Sequence, residues 1–255
     1  MKSRSGASGK ATQELKDNLI IISPRPKPPR FAAGEIFIKK RQKKQTRCLA
    51  VFNHIGDFNT VKIIDISQEV LSSEVYPGDP KPEGGKISSI EDGELYNLSR
   101  FSMCAHNGTH IDAPSHFLKD GKTVDRLPLD IFVGDCSVIY HKGNVTAEDA
   151  RAILQKAADT GASERILISG DAVVTAEAAR VFAESGIKLI GNESQSVGPE
   201  DAPAEVHKIL LGAGIILLEG VALKNVAEGK YFLNAAPLNL AGFEGSPCRA
   251  YLIDV

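Results

Sequence analysis

The sequence predicts an α/β domain over residues 61–255. In the second half of the chain, short apolar runs of strand length alternate with longer patterns of helical period. Between residue 61 and the middle of the chain, the pattern is instead one of strands and turns. With 255 residues and a hydrophobic content of 42%, the chain can bury one sizeable core.

The β-rich first half begins with the apolar run VKIIDI at 61–66, which predicts a buried strand. The sequence YPGDP at 76–80 predicts a turn, because its prolines fix backbone angles and its glycine has permissive dihedrals. Residues 83–93 are expected to form a hairpin or loop. Residues 95–103 are expected to form a strand that leads into the polar segment 106–116.

The second half carries recognisable helix boundaries. Thr146 and Asp149 form a capping box that opens one helix, and Thr175 caps a second helix that stops at a glycine. We expect three helices here, at 147–158, 176–186 and 202–211, and six strands, at 134–141, 165–169, 187–190, 214–218, 233–240 and 250–255.

The first sixty residues differ in charge from the rest. They carry 13 Lys and Arg against four Asp and Glu, whereas residues 61–255 carry 17 against 28. They lack an apolar period and contain PRPKPPR at 24–30, so we expect a basic extension without regular structure. The run KKRQKK could bind nucleic acid or an anionic surface. The net negative charge of residues 61–255 argues against a nucleic-acid partner.

Cysteine usage and the N-terminus bear on location. Four cysteines lie far apart with no Cys-x-x-Cys pair, which is typical of reduced thiols rather than a disulfide framework. The N-terminus lacks the apolar core of a signal peptide, and no run of about eighteen apolar residues could span a membrane. We therefore expect a cytoplasmic protein that does not contact membranes.

Three of the six histidines fall within eleven residues, in the segment HNGTHIDAPSH. Imidazole and carboxylate groups are the ligands that suit borderline divalent metals such as zinc and manganese. His106, His110, Asp112 and His116 are all even-numbered, and alternate residues of an extended chain face the same way. A glycine and a proline inside the segment allow it to turn. The segment therefore predicts a metal site on a strand and its loops.

The run HNGTHIDAPSHF resembles the His-x-Gly-Thr-His-x-Asp-x-Pro-x-His signature of the cyclase family of metal-dependent hydrolases, which includes bacterial kynurenine formamidase and isatin hydrolase. The resemblance covers residues 61–255, with further similar blocks at YPGDP, KLIGNESQSVGPEDAPAEVH, LLEGVAL and the C-terminal segment. It implies a central β-barrel-like mixed sheet with helices packed outside. It also implies a homodimer or homotetramer.

The resemblance also bears on where the native chain starts. Related chains usually begin where VKIIDIS stands, and a GTG codon for Val61 could initiate translation in bacteria. We therefore entertain the hypothesis that residues 1–60 are a translated leader, which the codon at position 61 would test.

The resemblance implies that His207 and Glu219 complete a ligand set begun by His106, His110 and Asp112. The local settings agree, because His207 lies on a predicted amphipathic helix and Glu219 ends an apolar strand, where an unpaired carboxylate is costly. The metal expected is Zn²⁺, with Mn²⁺ as the alternative, bound as one or two ions.

The same resemblance implies that His116 is the acid/base histidine, although a role as a further ligand stays open. Its imidazole has a suitable intrinsic pKa for proton transfer near neutrality.

For other residues of these blocks, the sequence predicts less specific roles. Thr109 and Glu193 could orient a ligand, or could be ordinary polar residues. Tyr76 is expected to contact substrate, and it stands where the formamidases commonly have tryptophan. Asn192 replaces a usually apolar residue, which could change the pocket lining. Arg249 could bind a substrate carboxylate, but packing and salt bridging are the favoured interpretation.

Together with these residues, the resemblance implies a metal-dependent hydrolase that cleaves the carbonyl C–N bond of a small amide, formamide or lactam. A lactone hydrolase or a dehydratase/cyclase at the same site is the enzymatic alternative. A metal-dependent protein that binds a small carbonyl compound without turnover is the third possibility. His116 discriminates against that third possibility, since a pure binding site needs no acid/base histidine.

Overall fold

The computed structural model describes residues 61–254, and the predicted basic extension at 1–60 lies outside them. Thirteen strands and three α-helices form in this part of the chain. The strands are β1 Lys62–Asp65, β2 Glu83–Ser88, β3 Leu98–Ser102, β4 His110–Asp112, β5 Val133–Tyr140, β6 Gly143–Val145, β7 Arg165–Ser169, β8 Ala172–Val174, β9 Leu189–Asn192, β10 Ile216–Glu219, β11 Gly229–Asn234, β12 Gly245–Pro247 and β13 Tyr251–Asp254. The helices are α1 Ala147–Thr160, α2 Ala176–Ala183 and α3 Ala204–Gly212.

Nine strands form one mixed sheet in the order β1-β13-β11-β5-β7-β9-β10-β4-β12. Its centre, β5-β7-β9-β10, is parallel, and the pairs on either side are antiparallel. The sheet curls into a half-barrel with few helices, which confirms the predicted α/β class and the barrel-like sheet. Two small sheets, β2-β3 and β6-β8, lie beside it.

The central strands are buried on both faces, as parallel strands usually are. Along β10, Leu217 packs with residues of the three helices, while Leu218 packs in a second cluster on the opposite face. The helix side of the core includes Phe182 of α2 and Leu210 of α3. Alternation along β10 therefore decides which side chains face the helices, and α3 lies against that strand.

Helix boundaries follow the capping residues named above. The side chain of Thr146 accepts a hydrogen bond from the Asp149 amide while the Asp149 carboxylate accepts one from the Thr146 amide, so the predicted capping box is confirmed. Gly161, with φ 76°, ends α1 in the left-handed conformation. Thr175 caps α2 through the amide of Ala178.

One predicted strand is misplaced, and β1, which was predicted to be buried, is largely exposed. Residues 233–240 were expected to be extended, but the strand is Gly229–Asn234, and the chain leaves the sheet after it. Pro237 has no backbone N–H to donate to a neighbouring strand, so the strand ends before it. At the start of the strand, the charged side chain of Lys230 forms a salt bridge with Asp135 on the neighbouring strand, at 2.6 Å. The three-residue strands β6, β8 and β12 were not predicted, because they are too short to show a period.

The fold places no long apolar helix in the described part of the chain, and none of its helices could span a membrane.

A glycine in β9 permits the close approach of the central strands. A Cβ on Gly191 would lie 2.6 Å from the carbonyl oxygen of Leu218 and 3.0 Å from Cδ2 of Leu167. We expect Gly191→Ala to lower the free energy of unfolding by about 1–3 kcal/mol, because rigid backbone must move. Gly212→Ala is the matched control, since nothing lies within 4 Å there. Urea denaturation measures both, and equal effects would contradict this account.

Candidate metal centre

Three elements of the fold bring the predicted ligands together. Strands β4 and β10 pair antiparallel, with Glu219 opposite His110 and Leu217 opposite Asp112. Since Leu217 faces the helices, the alternation puts the other three side chains on that face as well. Helix α3, which packs on that face of the sheet, supplies His207. His110, Asp112, His207 and Glu219 are each at most 3% exposed.

Imidazoles and carboxylates alternate around this cluster. The Nε2 atom of His110 lies 3.3 Å from Asp112 Oδ1 and 3.4 Å from Glu219 Oε2. The Nε2 atom of His207 lies 3.4 Å from Asp112 Oδ2 and 3.2 Å from Glu219 Oε1. His106, in the turn before β4, places Nδ1 2.7 Å from Asp112 Oδ1. The five predicted ligands therefore form one continuous group.

The group contains two sets of three residues with ligand atoms within 4.8 Å of one another. One set is His106, His110 and Asp112, and the other is Asp112, His207 and Glu219. Asp112 belongs to both, and its two oxygens face different histidines. A carboxylate in this position can contact two ions at once.

Backbone carbonyls fix the orientation of two of the imidazoles. Nδ1 of His110 lies 2.9 Å from the Gly108 carbonyl oxygen, and Nδ1 of His207 lies 2.8 Å from that of Pro203. An Nδ1–H group donates to each carbonyl, so Nε2 is the ring nitrogen directed into the cluster. This is the usual orientation of histidines that bind metals.

Some buried polar atoms of the cluster lack a hydrogen-bond partner. They include Nε2 of His110 and Oδ2 of Asp112, because the short contacts around them lack hydrogen-bond geometry. Leaving such atoms unpaired away from water is costly. A cation at their centre would satisfy them, so the residues present fit a divalent metal.

The electrostatics also indicate a site for positive charge. Burial favours the neutral forms of His110 and His207, but the carboxylates of Asp112 and Glu219 outweigh it and raise the pKa of each imidazole to about 10. Burial likewise favours neutral Asp112, but the nearby imidazoles of His106, His110 and His207 hold its pKa well below the usual range. The two buried carboxylates thus require compensating cations.

His116 lies at the edge of this group, in a short turn after β4. Its Nε2 atom is 3.9 Å from Asp112 Oδ2, too far for a hydrogen bond, and it belongs to neither ligand set. Its ring stacks on His106 with centroids 4.0 Å apart and meets Phe117 edge-on at 4.5 Å. Burial lowers its pKa below the usual value.

A cavity of about 290 Å³ opens over the cluster and includes His116 in its lining. Tyr76, the predicted substrate contact, also lines it and donates a hydrogen bond to the Glu200 carbonyl. Phe117, Gln195 and Ser196 line it too and were not predicted as site residues. The only sequence signal for them was proximity, since Phe117 follows the motif and the other two follow Glu193.

The remaining candidates lie around the cluster rather than in it. Thr109 Oγ1 donates to the Gly220 carbonyl at 2.6 Å, and so holds the motif against the end of β10. Glu193 accepts from the amides of Gly170 and Leu223 at 2.6 and 2.9 Å, and these bonds do not reach the ligands.

Two residues singled out in the sequence have bonds away from the cluster. Asn192 is buried and donates to the carbonyls of Ala172 and Ser196. Arg249 forms a salt bridge with Asp65, in agreement with the favoured interpretation of that arginine.

A half-barrel sheet with a buried His/Asp/Glu cluster under an open cavity, and a histidine beside that cluster, is the arrangement of a metal-dependent hydrolase. The Cyclase family model matches residues 64–199. The chain is 36% identical over 208 residues to kynurenine formamidase of Salinibacter ruber (strain DSM 13855 / M31), covering 75% of this chain and 97% of that protein. The chain belongs to the Cyclase family.

Solved structures agree. Isatin hydrolase A from Labrenzia aggregata superposes with a TM-score of 0.65 at 25% identity, covering 76% of this chain and 93% of that one. A protein from Bacillus stearothermophilus described as a predicted metal-dependent hydrolase gives a TM-score of 0.62 at 29% identity, covering 76% and 99%.

Replacement of Asp112 tests the metal centre. We expect Asp112→Asn to lose bound metal, because the shared carboxylate contributes to both ligand sets. The wild-type chain should gain roughly 10 °C in Tm when a divalent ion is added at about a thousandfold above its Kd, and the variant should not. Elemental analysis and thermal unfolding measure this. Asp159→Asn, on the exposed side of α1, is the control and should behave as wild type.

Proposed function

We propose that the protein is a metal-dependent hydrolase that cleaves the carbonyl C–N bond of a small formamide, amide or lactam. The observation that carries the proposal is the pair of ligand sets sharing Asp112 beneath a cavity that His116 also lines. The relatives named kynurenine formamidase and isatin hydrolase support the bond type, since a formamide and a lactam both contain this bond.

His106, His110, Asp112, His207 and Glu219 would hold the metal. Mixed imidazole and carboxylate ligands suit Zn²⁺, which we propose first, and Mn²⁺ second. Two ions fit the sharing of Asp112 between ligand sets. When bound, a divalent ion lowers the pKa of a water molecule so that it is a nucleophile near neutral pH, and it polarises the substrate carbonyl.

The protein residues then bind the substrate and move the proton. The rings of Tyr76 and Phe117 form apolar walls against which a small planar compound can lie. Addition of water to the carbonyl releases a proton, and His116 Nε2 accepts it. His116 then donates that proton to the leaving nitrogen as the C–N bond breaks, so that a carboxylic acid and an amine result.

Thr109 and Glu193 have supporting roles in this proposal. Thr109 holds the loop after β10 against the motif, which keeps Glu219 opposite His110. Glu193 joins the loops that follow β7 and β10 through backbone amides. Neither residue needs to touch the substrate.

We also propose a homo-oligomer, in which a second copy of the chain covers the β2-β3 hairpin. These two strands pair only with each other among the described residues, and an isolated two-stranded hairpin is at best marginally stable in water. Eighteen of the twenty residues at 83–102 are exposed. Large apolar side chains among them include Ile87, Leu95 and Phe101, which are 60%, 90% and 62% exposed.

The size and charge of the hairpin favour a second copy as the partner. A standard interface uses about 20–30 residues on each side, and the hairpin alone provides twenty. It carries both signs of charge, since it contains Lys86 and Arg100 as well as Glu83 and Glu94. Two such surfaces related by a two-fold axis can therefore pair opposite charges.

A cytoplasmic location is proposed as well. Cys104, Cys136 and Cys248, the cysteines within the described residues, are all free, as expected in a reducing compartment.

Replacement of His116 tests the mechanism. We expect His116→Ala to keep near-wild-type metal content and to lose about 10²–10⁴-fold in kcat on formanilide, because a positioned acid/base group contributes that much. His141→Ala is the control, since His141 lies outside the cavity lining. Loss of metal in His116→Ala would make that residue a ligand instead.

A charge on the hairpin tests the oligomer. We expect Phe101→Glu to convert the assembly to monomers, because it would bury an unpaired carboxylate in the interface. Leu129→Glu is the matched control, with an equally exposed apolar residue outside the hairpin. Sedimentation velocity distinguishes the species. A wild-type chain that is monomeric at micromolar concentration would contradict the proposal.

A further inference from the structure

Two polar atoms of the cavity lining have no partner and no assigned role. They are Oε1 of Gln195 and Oγ of Ser196, both shielded from solvent. Ser196 as a whole is 2% exposed. Other unpartnered buried atoms in the described residues either belong to the histidine and carboxylate cluster or lie on residues outside the lining, such as Asn107 and Ser115. Gln195 and Ser196 are therefore the residues of the lining outside the metal cluster that have buried, unpaired polar atoms available to a bound substrate.

The loop that carries them is fixed by bonds that do not use these atoms. The amide of Val197 donates to Glu219 Oε1 at 2.7 Å, and its carbonyl accepts from the amide of Val174 at 2.9 Å. Asn192 donates to the Ser196 carbonyl at 3.2 Å. The two side chains are thus presented to the cavity by a loop tied directly to a ligand candidate, as a preorganised binding site requires.

Gly220 makes room for the Gln195 side chain. A Cβ at position 220 would lie 3.0 Å from Nε2 of Gln195, so the amide nitrogen lies against this glycine. The oxygen is the other end of the same planar group, and it is buried without a hydrogen-bond partner. This oxygen is an acceptor without a donor, and it belongs to a residue that lines the cavity over the metal cluster. An N–H group on the bound molecule would satisfy it.

We propose that Gln195 and Ser196 form a specificity subsite that recognises the N–H group of the scissile amide. Gln195 Oε1 accepts a hydrogen bond from that N–H, and the Ser196 hydroxyl donates to an oxygen of the substrate. This inference rests on the proposed function and narrows it. The preferred substrates are amides, formamides or lactams that carry an N–H, rather than esters, lactones or N-alkylated amides.

The physical reason is the cost of leaving the Gln195 oxygen without a hydrogen-bond donor. An ester has an oxygen where the amide has an N–H, so two acceptors would face each other at Gln195. A site built to bind a substrate N–H discriminates strongly against an analogue that lacks it, because its own polar group is then left unpaired. An N-methyl group would in addition occupy the space that the hydrogen bond needs.

The experiment compares formanilide with N-methylformanilide and phenyl formate on the metal-loaded enzyme. We expect Gln195→Leu to lower the formanilide-to-phenyl-formate ratio of kcat/KM by about tenfold or more, and Gln195→Glu, which keeps an acceptor, to restore most of it. Ser196→Ala should raise the KM for formanilide. Ser163→Ala is the control, since Ser163 is exposed and lies outside the cavity lining.

Binding and metal content separate the possible failures. Calorimetry on metal-loaded His116→Ala, which is expected to hydrolyse formanilide very slowly, should show formanilide binding at least about tenfold more tightly than N-methylformanilide, with the difference lost when Gln195→Leu is added. Equal metal content in all variants shows that the cluster is intact. An unchanged ratio, or no N–H-dependent difference in binding, would overturn the subsite. N–H-dependent binding without turnover of any probe would instead overturn the proposed hydrolase and retain the subsite.

Discussion

The structure depends on the burial of two carboxylates, Asp112 and Glu219, at the junction of the sheet and α3. Both are almost inaccessible to solvent, and an ionised carboxylate without a partner in such a place costs several kcal/mol. The surrounding imidazoles offset part of this cost, and His207 reaches the pair only because α3 packs on β10. A bound cation would offset the rest. A bound cation would therefore both stabilise this edge of the sheet and supply the chemistry of the site.

Close backbone approach makes this geometry attainable. A Cβ on Gly220 would lie 2.4 Å from the Gly108 carbonyl oxygen, and one on Gly245 would lie 2.4 Å from the ring of His106. Gly220 has φ 66°, a conformation that side chains rarely adopt. The motif can thus turn against the ends of β10 and β12, which sets the position of its first histidine relative to β4.

The sequence predicted the parts of this site that depend on local order. Alternation along one extended segment placed His110 and Asp112 on a common face, because a strand has a period of two. His207 and Glu219 lie about a hundred residues further along the chain, and only the resemblance connected them to the motif. The misplaced strand at 233–240 and the unpredicted β12 have the same origin, since their pairing is decided by neighbours distant in sequence. Gln195 was not predicted because lack of a partner is a property of the folded chain.

The distribution of hydrogen-bond partners separates the residues that build the site from those that face the ligand. Thr109 and Glu193 have their side-chain oxygens bonded to backbone, so their contribution is to hold loops in place. His116 and Gln195 lack such bonds although both line the cavity. A folded chain retains unpaired polar groups at a cost, which selection tolerates where a bound molecule completes them. The polar atoms left unpaired around this cavity thus outline the substrate: a carbonyl above the cluster, and a nitrogen whose hydrogen points at Gln195.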